Sequence, residues 1–176
     1  METKADFRRR VRHEKKKYTP AELRLRSREI WKQIESLPEF QQARKVAVYW
    51  SLPDEVCSHD FVERWCREKT LLLPVMLEGY ELELREYLPG WPLNEAEFCI
   101  REPEGRIFPP EEVDLILVPG MAFDRQNHRL GRGKGYYDRL LCRMKAVKVG
   151  VCFGFQFFDA IPTDEYDIPM DRVLKA

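Results

Sequence analysis

Three glycines alternate with two cations in the segment that offers the clearest chemistry. It reads Arg129-Leu-Gly-Arg-Gly-Lys-Gly-Tyr-Tyr-Asp138 and follows the apolar run Val113-Asp-Leu-Ile-Leu-Val-Pro119. Glycine lets the backbone approach a ligand and expose its N–H groups, and a strand that leads through a glycine-rich turn into a helix commonly holds phosphate. We therefore predict a phosphate site at residues 131–135. The alternative is a tight strand-to-helix turn, which would explain one or two glycines but not three.

The spacing excludes two common nucleotide motifs. In a Walker A loop the lysine precedes Ser or Thr, but Lys134 precedes Gly135, and His128 occupies the position of the first glycine. The dinucleotide fingerprint has a different spacing from the G-x-G-x-G found here. The segment is therefore predicted to hold phosphate in another way.

Neighbouring residues have two interpretations each. Asp138 is a natural Mg²⁺ ligand beside a phosphate site, or it pairs with an arginine at the surface. Lys4 and Arg8, one helical turn apart, reach a polyphosphate together, or they lie on a solvated helix face or an RNA-binding arm. Glu55 binds a nitrogen-bearing ligand or is a surface acid. Tyr136 and Tyr137 stack on a planar ring or pack in the core.

Composition limits the class of protein. The chain has 176 residues, and its 30 basic and 30 acidic residues cancel, so no global field indicates nucleic acid or membrane. The scattered cysteines, at positions 57, 66, 99, 142 and 152, form no C-x-x-C and indicate reduced thiols in a cytoplasmic protein. The histidines do not cluster as in a zinc site, and no secretory signal or membrane-spanning run is present.

Helices and strands are predicted to alternate along the chain. Helices are expected at residues 4–17, from the Thr19-Pro-Ala-Glu22 capping box onwards, after a Ser58 cap, and at 136–143. Strands are expected at 45–50, 70–74, 81–84, 113–118 and 147–153, with a long loop at 89–112 and an acidic segment at 164–174. This alternation predicts one Rossmann-like α/β domain over residues 1–176, with a mostly parallel sheet flanked by helices. Loops 51–55 and 131–135 follow strands, where such sheets bind ligands.

Longer stretches of the sequence resemble a known family. The runs Val118-Pro-Gly-Met-Ala-Phe-Asp124 and Arg129–Arg139 together resemble the signature of the 5-formyltetrahydrofolate cyclo-ligases, also called methenyltetrahydrofolate synthetases. The resemblance covers nearly the whole chain, and the other matching segments are Lys4 and Arg8, Tyr49–Val56, Glu102-Pro103, Asp167 and Asp171. It implies an enzyme that uses ATP and Mg²⁺ to convert 5-formyltetrahydrofolate to 5,10-methenyltetrahydrofolate, with release of ADP and phosphate.

The resemblance also implies a mechanism and a set of site residues. The formyl oxygen attacks the γ-phosphate of ATP, and N10 of the folate then closes the ring as phosphate leaves. Arg132 and Lys134 would be catalytic, Leu52 and Glu55 would bind folate together with residues 132–136, and Asp138 and Asp167 would hold magnesium. The residues that would contact ATP are Lys4, Ala5, Asp6, Phe7, Arg8, Arg129, Leu130, Gly131, Arg132, Gly133, Lys134, Gly135, Tyr136 and Tyr137.

One position departs from the family pattern, and two other functions remain open. The family often has an acid or threonine two residues after Glu55, where this chain has Cys57, a weak hydrogen-bonding group. The expected partners are small molecules, without nucleic acid or membrane, and the expected state is a monomer. The alternatives are a nucleotide- or folate-binding module without turnover, and an RNA-binding protein, which the neutral charge disfavours.

Overall fold

A seven-stranded sheet forms the centre of the structure, a computed structural model that describes residues 2–95 and 101–176. Its strands, in chain order, are β1 (Lys45–Ala47), β2 (Thr70–Met76), β3 (Leu82–Tyr87), β6 (Ile107–Phe108), β7 (Leu115–Pro119), β10 (Val147–Cys152) and β12 (Arg172–Lys175). The spatial order is β12-β10-β7-β1-β2-β3-β6. The first five strands in this order, β12, β10, β7, β1 and β2, are parallel to one another. Strands β3 and β6 add antiparallel pairs at one edge.

Two small sheets accompany the central one. The strands β8 (Ala122–Asp124), β9 (Arg129–Leu130) and β11 (Phe157–Phe158) form a three-stranded sheet in which β8 and β9 make a hairpin. The strands β4 (Leu93–Glu95) and β5 (Arg101–Pro103) pair antiparallel. The β8–β9 hairpin separates the buried strand β7 from the glycine-rich segment, so that segment does not follow β7 directly as the sequence suggested.

Five helices surround these sheets in the described part of the chain. They are α1 (Lys4–Lys15), α2 (Pro20–Glu35), α3 (Pro38–Gln42), α4 (His59–Trp65) and α5 (Tyr136–Leu141). Capping boxes start α1 and α2, because Thr3 and Thr19 each exchange hydrogen bonds with the acid three residues later. Every helix in the described residues is too short or too polar to cross a bilayer.

The core lies on both faces of the central sheet, as the alternation of side chains along a strand requires. Val46, Leu71 and Leu115 pack on one face with Ile30, Phe40, Phe61 and other residues of α2, α3 and α4. Ala47, Leu72 and Ile116 pack on the opposite face with Leu140 and Leu141 of α5. The predicted α/β architecture, a mostly parallel sheet flanked by helices, is therefore confirmed.

Several local predictions need correction. The segment 89–112, predicted as a loop, contains β4, β5 and β6, while residues 96–100, including Cys99, lie outside the described part. Strand β12 lies in the segment predicted only as acidic. Ser58 precedes α4 but does not cap it with its side chain. Its buried hydroxyl instead donates to Tyr49 O at 2.6 Å and accepts from Ser51 N at 3.0 Å.

Candidate active site

A cleft of about 1170 Å³ opens where the parallel strands end at their carboxyl termini. Residues after β1, at the end of β2 and after β7 line it, together with one face of α1 and the loop from Gly131 to Gly135, here called the glycine loop. One group of lining residues is cationic: Lys4, Arg8, Arg12, Arg129, Arg132, Lys134 and Arg139. Another group is apolar: Trp50, Leu52, Pro74, Met76 and Leu82. Such a cleft suits a ligand with anionic and aromatic parts.

Helix α1 lies against the glycine loop. Phe7 and Val11, one turn apart, are buried against Met121, Leu130 and Ile161, and this packing fixes the helix. On the neighbouring face, the Arg8 Nε donates to Gly131 O at 2.8 Å. A Cβ placed on Gly133, whose φ is +108°, would lie 3.4 Å from Arg8 Nη2. The basic helix is therefore part of the cleft rather than a detached arm.

Arg129 is a buried cation at the floor of the cleft. Its side chain is 5% exposed, its Nε donates to Pro119 O at 2.9 Å, and its guanidinium lies 5.0 Å from the centre of the Tyr137 ring. Burial lowers the pKa of Arg129, and the nearby charge of Asp138 opposes that effect. The Nη1 atom has no hydrogen-bond partner among the described residues, although Asp138 Oδ1 lies 3.6 Å away. A buried, unsatisfied guanidinium N–H is a donor for an incoming oxygen ligand.

Arg132 joins the glycine loop to the Ser51–Glu55 loop. Its Nη2 lies 2.6 Å from Asp54 Oδ1 and 3.2 Å from Glu55 Oε1, and Lys15 of α1 lies 3.2 Å from the other Asp54 oxygen. Burial would lower the pKa of Arg132, but these carboxylates raise it. The glycine loop is therefore held on one side by α1 and on the other by the loop after β1.

The side chain of Glu55 is mostly buried, with 15% exposed, and one of its oxygens already accepts a hydrogen bond. Its Oε2 accepts the Leu52 N–H at 3.0 Å, which closes the turn after β1. Burial raises the pKa of Glu55, and the hydrogen bond from Leu52 and the charge of Arg132 only partly oppose this. The carboxylate faces the cleft, where it can accept a hydrogen bond from an N–H group of a ligand.

Asp138 and Asp167 both line the cleft, near its cations. Asp167 Oδ2 lies 2.5 Å from Lys4 Nζ, which also contacts Asp164 at 2.7 Å. Asp138 Oδ1 accepts the Ile168 N–H at 3.4 Å and faces Arg129. The described residues contain no group of three or more metal-binding side chains. Two carboxylates nevertheless fit Mg²⁺, which takes few protein ligands and completes its shell with water and substrate phosphate.

The structure brings most of the predicted site residues together. Lys4, Arg8, Leu52, Glu55, Asp167 and every residue from Arg129 to Asp138 line the cleft. Ala5, Asp6 and Phe7 do not: Ala5 is exposed, Asp6 accepts the capping hydrogen bonds of Thr3, and Phe7 is in the core. Cys57 is also absent from the lining residues, and its backbone N–H bonds to Ser27 Oγ at 3.0 Å.

Other lining residues were missed from the sequence. Arg12 continues the four-residue spacing of Lys4 and Arg8, so the helical period could have found it. Trp50 stacks on His59 at 4.1 Å between ring centres, and Met76 ends β2; neither carries a local signal of function. Glu102 of β5 accepts the Met76 N–H at 2.7 Å and so supports this apolar wall.

Comparison with known proteins identifies the family. The model of the 5-formyltetrahydrofolate cyclo-ligase family matches residues 1–176. The chain belongs to this family. This membership confirms the resemblance seen in the sequence, and with it the predicted enzyme class, an ATP-dependent cyclo-ligase of folate metabolism.

Individual relatives agree with the family match. The 5,10-methenyltetrahydrofolate synthetase of Aquifex aeolicus, solved by NMR, is 42% identical and superposes with a TM-score of 0.89 over 98% of this chain and 89% of that one. The 5-formyltetrahydrofolate cyclo-ligase of Haemophilus influenzae is 33% identical over 149 residues, 79% of each chain. The methenyltetrahydrofolate synthetase of Mycoplasma pneumoniae, 23% identical with a TM-score of 0.79 over 97% of each chain, has the same fold.

Proposed function

We propose that this protein uses MgATP to convert 5-formyltetrahydrofolate to 5,10-methenyltetrahydrofolate in the cleft described above. The observation that carries the proposal is that a single cleft contains both a cationic and an apolar set of side chains, joined by the glycine loop. Arg8 contacts the loop from α1, and Arg132 of the loop contacts Glu55. This arrangement supports a reaction between a polyphosphate and a ring-bearing substrate that meet at the loop.

The cationic group would bind the triphosphate of ATP. Lys4, Arg8 and Arg129 would neutralise phosphate oxygens, and the loop glycines would let backbone N–H groups approach them. Arg129 is suited to this role because its buried Nη1 is unsatisfied among the described residues. Arg132 and Lys134 would stabilise the negative charge on the phosphoryl group during transfer, the main task of a protein in such chemistry.

The apolar group would hold the folate. Trp50, Met76 and Leu82 offer a surface for an aromatic ring, and Glu55 offers an acceptor for a ring N–H. The reaction then needs no protein nucleophile. The formyl oxygen attacks the γ-phosphorus, and the bond to ADP breaks. N10 attacks the formyl carbon, N10 loses its proton, and the oxygen departs on inorganic phosphate.

Magnesium would be held by Asp138 and Asp167, whose carboxylate oxygens fit its preference for hard ligands. When bound, it would share the phosphate oxygens and withdraw negative charge from them. The position of Asp138 in the cleft, 3.6 Å from the proposed phosphate ligand Arg129, supports this role.

The remaining expectations about the chain are also proposals. We propose one cyclo-ligase domain over residues 1–176, which are the residues that the family model matches. We propose a cytoplasmic monomer that acts on small molecules without nucleic acid or membrane partners, consistent with free thiols at Cys57, Cys66, Cys142 and Cys152.

A direct assay tests the proposed function. Purified protein is mixed with 5-formyltetrahydrofolate and MgATP, and the absorbance of the methenyl product is followed. We expect a signal that needs both ATP and magnesium. A folded protein that binds both substrates without this signal would be a binding module, and the enzymatic proposal would be wrong. Omitting ATP from an otherwise identical sample gives the background rate of non-enzymatic ring closure.

A further inference from the structure

An unusual backbone turn lies at the edge of the cleft, between β2 and β3. The turn spans Glu78–Tyr80, and Leu77 N donates to Glu81 O at 2.9 Å across its base. Gly79 has φ +73° and Tyr80 has φ +62°. Among the described residues, the other non-glycine residue with positive φ is Asn127, a type that tolerates this region. A bulky tyrosine is disfavoured there, and such strain persists where the surrounding contacts require it.

The Tyr80 side chain spans the cleft edge to reach the glycine loop and α5. Its ring centre lies 5.6 Å from that of Tyr136 in an edge-to-face arrangement. Two cations also lie near the ring face, Lys134 Nζ at 5.9 Å and Arg139 Cζ at 5.8 Å from the ring centre. Edge-to-face rings and cations over a ring attract each other. Tyr80 thus contacts Lys134 of the glycine loop and Tyr136 and Arg139 of α5, although it is distant from them in sequence.

Arg139 closes the same cluster from the other side. Its Nη1 donates to Lys134 O at 3.0 Å, and a Cβ on Gly135 would lie 2.6 Å from that nitrogen. The end of the loop is therefore held between Arg139 and the ring of Tyr80. Tyr80 is 49% exposed, so the ring contributes little to the core. Its contacts, rather than burial, account for its place in the turn.

We propose that Tyr80 is a positioning residue that fixes Lys134 for the reaction. This inference rests on the proposed function, in which Lys134 meets the transferring phosphoryl group. The long side chain of Lys134 must be ordered when phosphate binds, and ordering a flexible side chain weakens binding. The ring of Tyr80 limits the positions open to Lys134 before ATP arrives.

Two variants separate positioning from folding. Tyr80→Gly removes the ring but suits the positive φ of the turn, so the backbone should be retained. Tyr80→Phe keeps the ring and serves as the conservative control. We expect kcat/KM for ATP to fall roughly tenfold in Tyr80→Gly, about 1.4 kcal/mol, and to stay within about twofold in Tyr80→Phe. The thermal midpoint of Tyr80→Gly should stay close to that of the wild type, because relief of the positive φ offsets the lost ring contacts and the greater freedom of glycine in the unfolded chain.

A double variant links the effect to Lys134. In a Lys134→Ala background, Tyr80→Gly should change kcat/KM for ATP by less than about twofold, because its target is already gone. The inference is overturned if Tyr80→Gly alone keeps wild-type kcat/KM. It is also overturned if the loss persists in the Lys134→Ala background or follows a lowered thermal midpoint, since either result would indicate a purely structural role.

Equilibrium binding of ATP, measured for the same proteins by calorimetry, keeps this inference distinct from the proposed function. If the wild type binds ATP but does not convert the folate, the proposed function is wrong, and the inference about Tyr80 is then tested by ATP affinity alone. Roughly tenfold weaker binding by Tyr80→Gly would then support positioning, and equal binding would overturn it. A wild type that neither turns over nor binds ATP would overturn both proposals.

Discussion

Asp124 anchors the hairpin that carries Arg129 into the cleft, and replacing it with asparagine should destabilise the protein. The residue ends β8 and is fully buried. Its Oδ1 accepts the backbone N–H groups of Gln126 at 3.0 Å and His128 at 2.9 Å. Its Oδ2 accepts the Ile161 N–H at 3.1 Å and lies 3.0 Å from His128 Nδ1. A buried carboxylate thus holds three backbone donors in place.

The geometry sets the size of the effect. Asparagine has one carbonyl oxygen, so if that oxygen takes the Oδ1 position, its NH₂ group faces the Ile161 N–H, donor against donor. A buried donor left unsatisfied costs about 1–3 kcal/mol, and a hydrogen bond to a charged group contributes about 1.5–3 kcal/mol. We expect Asp124→Asn to lower the free energy of unfolding by about 3 kcal/mol. For a chain of this length, that corresponds to a fall of roughly 6–12 °C in the thermal midpoint.

Urea unfolding followed by tryptophan fluorescence measures this loss. Asp159→Asn is the matched control, because Asp159 follows β11 in the same small sheet but its side chain is 86% exposed and pairs with Arg125 at 2.6 Å. An exposed pair of this kind contributes about 0–1 kcal/mol. If Asp124→Asn were no less stable than Asp159→Asn, the buried carboxylate would not be the anchor of the hairpin, and the reasoning from unsatisfied donors would be refuted.

Two further predictions concern the cleft. Asp138→Asn should raise the magnesium concentration needed for half-maximal turnover roughly tenfold, because a charged oxygen ligand is lost; an unchanged magnesium titration in a folded variant would remove Asp138 from the metal site. Burial raises the pKa of Glu55 above its ordinary value of 4.5, so its stabilising contribution is full below pH 4.5 and declines as the pH rises through the raised pKa. Relative to the wild type, the free energy of unfolding of Glu55→Gln should therefore increase as the pH rises above 4.5. A decrease would show that the ion pair between Glu55 and Arg132 dominates.

Elements with strong local signals were predictable from the sequence. The capping box at Thr19 located the start of α2, and the apolar run 113–118 located β7, because both signals act between neighbouring residues. The three-stranded sheet of β8, β9 and β11 was missed because its strands are two or three residues long. In addition, β11 pairs with β8 through Phe157 and Phe123, which are distant in the chain. Such strands form because tertiary contacts hold them, so their sequence shows no period.

Ser58 shows why a correct residue type can be given the wrong role. Serine before a helix predicts a cap, since its hydroxyl commonly bonds to the first backbone N–H groups. In this fold the hydroxyl is buried and bonds to Tyr49 O and Ser51 N instead, where it shapes the loop that carries Glu55. The competing partners lie in the segment that follows β1 (Lys45–Ala47), and no local pattern reveals them.

The site shows the same division between local and distant information. The glycine loop was recognisable because its glycines and cations are adjacent, but each flanking charge had two open interpretations, a ligand contact or a solvated surface group. Topology determines which of these charges lie together. Arg8 reaches Gly131, and Arg132 reaches Asp54, across more than seventy residues in both cases. The parallel pairing of β1 with β7 brings the segments that follow these strands to the carboxyl end of the sheet, where Arg132 and Glu55 line the cleft. Tyr80 follows the same logic: its sequence neighbours suggest only a turn, and its contacts with Lys134 and Tyr136 exist because β2 and β3 place that turn beside the glycine loop.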